Sequence, residues 1–141
     1  MRDRVILDRV IWRPGHRVIE KQMAIPPEIH GQKYVSLTTY RKSGVGVSTP
    51  VWFAERDGRL YVVTEKISGK SKRIRNNPKV TVAPCTIRGK VTGPEFAAKA
   101  RVLPDGEESA AARKSIRRKY WLARLSFRPQ KNEYLEIEIA G

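Results

Sequence analysis

From Tyr34 onward, apolar and polar positions alternate with period two, the spacing that puts every second side chain on one face of a strand. Tyr34–Tyr40 (Y-V-S-L-T-T-Y) is rich in β-branched and aromatic residues and reads as a half-buried strand. Lys42-Ser43-Gly44 turns the chain into a second strand, Val45–Ala54. Asp57-Gly58 is a two-residue hairpin signal, and Leu60–Thr64 returns as a third, antiparallel strand. The period then changes. Ser68-Gly69 opens a short basic helix holding Lys70, Lys72, Arg73 and Arg75, and Asn77-Pro78 stops it. Strands resume at Val80–Cys85, pass through the glycine-containing connection Ile87–Gly93 to Phe96–Leu103, and turn at Pro104-Asp105-Gly106. Glu107–Leu125 is the one long helical stretch. Ile116, Tyr120 and Leu125 form its apolar stripe, with Ala112 and Trp121 nearby, and its acidic start and basic end suit the helix dipole. Tyr134–Ile139 (Y-L-E-I-E-I) closes the series as a last strand.

Six short strands with one or two helices, and no internal repeat, predict a mainly β fold: a small antiparallel barrel. Residues 1–25 form an N-terminal extension in which helix and strand are equally compatible with the apolar clusters Val5-Ile6-Leu7 and Val10-Ile11-Trp12. Pro26-Pro27 begins a short helical turn ending near Gly31. Residues 26–141 then make a single domain, and a chain of 141 residues buries roughly two-thirds of its unfolded surface. Charges interrupt every apolar run well short of the roughly 20 residues that span a bilayer. Met1-Arg2-Asp3-Arg4 does not lead into the apolar stretch of a signal peptide. A soluble cytoplasmic protein without a membrane span is the expectation.

The formal net charge of +15 is large for this length. Two clusters dominate it, Lys66–Lys79 and Arg113–Lys131, and such a field favours anionic partners. Nucleic acid and a polyanionic small cofactor both answer that description, and charge alone does not choose. No zinc finger, G-x-x-G loop of the KH type or aromatic-rich RRM strand is visible, so nucleic acid is not the expected partner. Cys85 is the only cysteine, which removes an intrachain disulfide and a thiolate zinc cluster. It reads as a buried thiol at a strand end, with a nucleophile as the alternative. His16 and His30 have no partner at metal-ligand spacing, and no serine sits in a G-x-S-x-G elbow. With no metal site and no catalytic residue identified, the chemistry of any reaction falls to a bound cofactor.

Thr64–Val80 carries the clearest functional signal. A strand running into Thr64, a turn at Ser68, and a basic helix place hydroxyls (Thr64, Ser68, Ser71) and cations (Lys70, Lys72, Arg73) around unpaired helix-start N–H groups. That combination is an anion socket; a solvated basic turn is the other reading of the same spacing. Gly69-Lys70-Ser71 imitates the end of a P-loop, but the first glycine of that motif falls on Thr64, so an ATPase or GTPase is excluded. Pro50 interrupts an otherwise convincing strand and therefore belongs at an edge or a bulge.

Y-V-S-L-T-T-Y-R-K-S-G at 34–44, S-T-P-V-W-F at 48–53, G-K-S-K-R-I-R-N-N-P-K-V at 69–80 and A-P-C-T-I-R-G-K-V-T-G at 83–93 lie in order along the chain. Together they resemble the deazaflavin-dependent branch of the pyridoxamine 5′-phosphate oxidase-like split-barrel superfamily, the flavin/deazaflavin oxidoreductases of the B group. The resemblance runs from about Lys33 to the last strand, and residues 1–25 look like an addition to the minimal domain. It implies a six- to seven-stranded antiparallel split β-barrel of the FMN-binding type, a homodimer, and coenzyme F420 as cofactor, with FMN as the alternative. It further implies that Ser48, Thr49, Pro50, Val51 and Trp52 lie against the deazaflavin ring, Pro50 bending to present backbone to it. Thr64, Ser68, Lys70, Ser71, Lys72 and Arg73 would hold the phosphate. The implied reaction is hydride transfer from the reduced deazaflavin to an unsaturated organic acceptor such as a tetrapyrrole or quinone. Tyr40, Lys42, Arg88 and Lys90 lie in the matching blocks, and none is identified as the proton donor. An FMN- or haem-binding split barrel, a cofactor carrier without turnover, and a basic nucleic-acid-binding barrel are the rival readings.

Overall fold

The computed structural model describes residues 25–120 and 131–140. Its strands are β1 (Tyr34–Tyr40), β2 (Gly46–Arg56), β3 (Arg59–Glu65), β4 (Lys79–Pro84), β5 (Phe96–Val102) and β6 (Asn132–Ile139). Its helices are α1 (Gly69–Asn76), between β3 and β4, and α2 (Glu107–Lys119), between β5 and β6. The six strands close into an antiparallel barrel in the order β1-β2-β3-β6-β5-β4, with β4 returning to β1. The mainly β barrel expected from the period-two pattern is therefore the fold.

Alternation dictates what fills it. Val35 and Leu37, Val51 and Phe53, Leu60 and Val62, Val80 and Val82, and Leu135 and Ile137 all point inward and form one core. Phe53 is the largest fully buried side chain of this core, and Ala98 and Ala100 are its small members on β5. Pro26 accepts from the N–H groups of Ile29 and His30 in the expected helical turn, and Ile25 and Ile29 join the same core.

Two devices fix the frame. Asp57 and Gly58 both take positive φ, 52° and 75°, the conformation of a tight two-residue hairpin that sets the register Arg56↔Arg59. On the outside, Ala112 and Ile116 of α2 are wholly buried against Ala54, Tyr61, Leu103 and Tyr134. Arg101 on β5 ties the start of α2 to the sheet, donating to Glu136 at 2.9 Å and to Glu108 at 2.6 Å. The helix expected over Glu107–Leu125 ends at Lys119, where the Tyr120 N–H closes on the Ile116 carbonyl as the C-cap. Trp121 and Leu125, placed on its stripe from the sequence, and the extension 1–24 lie outside the described residues. No helix among the described residues is long and apolar enough to cross a membrane.

Gly58→Ala forces a side chain into the left-handed region at about 1 kcal/mol. The expected outcome in calorimetry is a Tm lower by about 3 °C; an unchanged Tm would mean that the hairpin does not set the frame.

Candidate functional site

β2 and β3 pair only from Phe53↔Val62 to Arg56↔Arg59. Beyond that point β2 stays with β1, and β3 stays with β6. The barrel splits there, and the split is a cleft of about 500 Å³. Pro50, Val51 and Trp52 form one wall, Val63, Thr64 and Glu65 the other, and Ser68, Lys70 and Asn132 complete it. Two blocks separated in sequence, the Pro50 strand and the Ser68 turn, thus meet at one opening.

Pro50 is tolerated because β2 has a strand partner on one side only over this stretch. The register with β1 runs unbroken from Tyr34↔Trp52 to Tyr40↔Gly46, so Pro50 sits at an edge and makes no bulge. The pleat divides the expected ring-contact block. Ser48, Pro50 and Trp52 share the outer face, and Ser48 hydrogen-bonds Thr38 through the two hydroxyls at 2.6 Å. Val51 belongs to the core, and Thr49 takes the same inward parity, its buried Oγ1 without a partner. Thr49 does not line the cleft.

Capping fixes the turn at which an anion socket is expected. Ser68 is the N-cap of α1, and its Oγ accepts from the Ser71 N–H at 3.3 Å. Thr64 donates to Ser68 Oγ at 3.0 Å, and Ser68 to Ser71 Oγ at 3.2 Å, so the three expected hydroxyls form one chain. Ser71 is wholly buried and acts only through Ser68. Lys70 is half-buried, and its pKa is lowered, first by that burial and then by the charge of Arg73. Lys72 is exposed and does not line the cleft.

Arg73 does not line the cleft. Its Nε donates to Thr39 Oγ1 at 2.6 Å, and Thr39 is fully buried at the end of β1. A Cβ on Gly69 would lie 2.6 Å from Arg73 Nη1, so the guanidinium packs directly on the first turn of α1. The next two residues anchor as well. Ile74 enters the core, and Arg75 donates to Glu133 at 2.9 Å. Residues 73–75 together clamp α1 onto the end of the barrel.

Sequence reasoning missed Val63, Glu65 and Asn132 as wall residues and assigned Tyr120 only to a helix stripe. Tyr120 stacks on Trp52, ring centroids 5.0 Å apart and planes 9° from parallel. Its hydroxyl accepts from the Phe53 N–H at 3.3 Å, and its one proton is shared between the Phe53 carbonyl at 2.8 Å and the Lys33 carbonyl. Burial pushes this phenol up to about 12. The neighbouring Lys119 ammonium stands 3.8 Å above the centre of the Phe53 ring, a cation–π contact, and burial lowers its pKa. No sequence signal marks these contacts, because they depend on how α2 meets β2. Cys85 is buried beyond the end of β4 with its thiol pKa raised by burial, as a strand-end thiol should be.

Residues 22–141 match the family model described as pyridoxamine 5′-phosphate oxidase. No curated protein matches the chain. Among solved structures, HutZ, the heme storage protein from Vibrio cholerae, is similar with a TM-score of 0.63 at 14% identity, over 92% of each chain. General Stress Protein 26 from Bacillus anthracis has a TM-score of 0.58 at 25% identity, covering 84% of this chain and 88% of that one. A FAD-binding protein from Mesorhizobium loti has a TM-score of 0.59 at 18% identity, over 77% of this chain and 82% of the other.

Tyr120→Phe keeps the stack with Trp52 but removes the hydroxyl that joins Phe53 to Lys33. Leaving those backbone groups without a partner costs about 1–3 kcal/mol. The expected result is a Tm lowered by several degrees, with a change in tryptophan fluorescence as the Trp52 wall loosens. A variant as stable as the parent would show that the hydroxyl does not fix the wall.

Proposed function

The chain belongs to the pyridoxamine 5′-phosphate oxidase family, and on that premise we propose that the split cleft binds coenzyme F420 and that the protein is a reductase dependent on it. The observation that carries the reading is the meeting of Pro50 and Trp52 with Thr64, Ser68 and Lys70 in one cleft. A flat ring needs an apolar wall, and its phosphate needs cations and hydroxyls at a helix start. The two requirements stand at opposite sides of the same opening. Bound there, the reduced deazaflavin supplies a hydride to an unsaturated organic acceptor such as a tetrapyrrole or quinone. The chain's own part is positioning. Ser68 and Lys70 fix the phosphate, Arg73 adds charge over the first turn of α1, and the Trp52–Tyr120 stack holds the ring wall and keeps water from it. We assign no side chain as proton donor.

A second reading is FMN or haem in the same cleft. The similarity to a heme storage protein and to a FAD-binding protein favours it. FMN shares the flat ring and the phosphate, so the socket serves it equally. Haem is less well served, because the cleft walls contain no histidine or cysteine to ligate iron among the described residues. The absorption spectrum of the purified protein mixed with each of the three cofactors decides. Tight binding of F420, with return of the oxidised deazaflavin band when a quinone or tetrapyrrole acceptor is added to the complex of the reduced cofactor, supports the reductase, whereas tight binding of FMN or haem with no affinity for F420 would replace it.

We also propose a homodimer. Val45, Ile87 and Val91 are exposed apolar side chains on the loops after β1 and β4, and a partner chain would cover them. Sedimentation at micromolar concentration should give twice the mass of one chain; a monomer that binds cofactor fully would contradict it.

A charge-assisted hydrogen bond to an anion contributes about 1.5–3 kcal/mol. Lys70→Ala should therefore weaken F420 binding about tenfold to a hundredfold, while Lys72→Ala changes it less than about twofold. The pH dependence follows from the lowered pKa of Lys70. As pH rises through that value the ammonium is lost, so binding falls at a lower pH than an ordinary lysine would require. Lys70→Arg should keep the affinity and abolish that fall. Equal affinity in the parent and in Lys70→Ala would refute the role of Lys70.

A further inference from the structure

A second hollow, of about 570 Å³, lies on the outer face of β6 and shares the lining residue Asn132 with the cleft. Lys66, Asp105, Gly106, Arg113 and Tyr134 line it together with Asn132, which lines both. α2 begins here, and unlike α1 it has no side-chain cap. The first N–H to bond back is that of Ala110, to the Gly106 carbonyl. The N–H groups of Glu107, Glu108 and Ser109 are thus left without helical partners at the positive end of a 13-residue helix.

A second observation is independent of the helix. Tyr134 is 3% exposed and lines this hollow, yet its hydroxyl has no hydrogen-bond partner among the described residues. Buried hydroxyls without partners are rare and unfavourable, and one on the wall of a hollow calls for an acceptor inside it. Burial raises the Tyr134 pKa, which keeps the phenol protonated and a donor. Lys66 and Arg113 bring two cations against the single wall carboxylate of Asp105, and Glu108 is already held by Arg101. Donors and cations converge here beside the Asp105 carboxylate, the Asn132 amide and the first-turn Glu107.

We propose that this hollow is a second anion site, which takes a carboxylate or phosphate group on Tyr134, Arg113, Lys66 and the open start of α2. Because Asn132 borders both hollows, a second anionic group carried by the ligand of the cleft reaches it. That last step rests on the reading of the cleft given above; the anion site itself does not.

Amide-resolved NMR of the full chain titrated with inorganic phosphate tests it. Saturable shifts are expected at Glu107, Glu108 and Ser109. Arg113→Gln should raise the apparent Kd there about tenfold or more. Tyr134→Phe should do the same while leaving the phosphate-free protein at least as stable as the parent, since it removes a hydroxyl that has no partner. Loss of binding in that variant is then not loss of fold. Silence at Glu107–Ser109 in the parent, or shifts there that persist unchanged in both variants, would overturn the site. Shifts confined to Gly69–Ser71 overturn it too but leave the cleft reading intact. Shifts at Glu107–Ser109 in a protein that binds neither F420 nor FMN keep this site and remove that reading. With F420 bound, α1 and α2 amides that saturate together assign the group to the ligand of the cleft. Amides of α2 that still respond to phosphate keep the site and assign it to a free anion.

Discussion

A strand edge carries a row of N–H and C=O groups that need partners, and β2 before Phe53 and β3 after Val62 turn two such edges toward each other across a gap. The rest of the molecule is arranged around that gap. Each strand keeps its other neighbour, so the barrel stays closed while one seam is open. Pro50 lowers the number of exposed donors on one edge and blocks that edge from adding a foreign strand. The Trp52–Tyr120 stack, tied by the Tyr120 hydroxyl to the backbone of Phe53, props the seam where pairing ends. A flat ligand edged with acceptors and donors suits such a slot, because it can meet the backbone groups that the missing pairs leave over.

The second constraint is where α1 lies. A helix of eight residues is too short to be stable alone, so its position is that of its anchors. Those anchors are three consecutive residues, Arg73, Ile74 and Arg75, directed respectively to Thr39, the core and Glu133. Arg73 serves both stability and charge, since the guanidinium that bonds Thr39 also packs on Gly69 at the helix start. A substitution there changes the position of the socket along with its charge, whereas Lys70 touches the cleft alone.

Much of the fold was legible because each strand is half-buried and its alternation is clean. Leu37, Val62 and Ile137 announce their faces by spacing, and Asp57-Gly58 announces its hairpin as one of the few dipeptides that tolerate positive φ at both positions. The start of α1 and its Ser68 cap were legible for the same reason: caps and helix starts are local. What could not be read is registration between distant strands. Asn132 reaches the cleft only because β6 pairs with β3 as Glu65↔Asn132, and nothing near Asn132 encodes that. The block Ser48–Trp52 was read as one contact surface, but a strand shows alternate residues to opposite sides, so Thr49 and Val51 turn inward. Pro50 was read from its residue type as an edge or bulge position and by resemblance as a bend, and the continuous register makes it an edge.

The electrostatics separate sites from surface in a way that net charge does not. The excess of basic over acidic residues yields +15, yet most exposed cations, Lys72 among them, are hydrated, screened beyond about 10 Å at 0.1 M salt, and selective for nothing. Lys70 differs because burial makes its ammonium unfavourable until an anion arrives, and its lowered pKa is the sign of that imbalance. The Tyr134 hydroxyl is the neutral counterpart, a donor taken from water and given no acceptor. Both stand on the walls of hollows that meet at Asn132. An anion placed against either group relieves a penalty already present in the free protein, while one placed against Lys72 must displace water from a cation that has no need of it. The half-buried Lys70 and the buried Tyr134 hydroxyl are in this respect unlike the exposed basic surface, whose long-range field affects how fast an anion approaches more than where it is held.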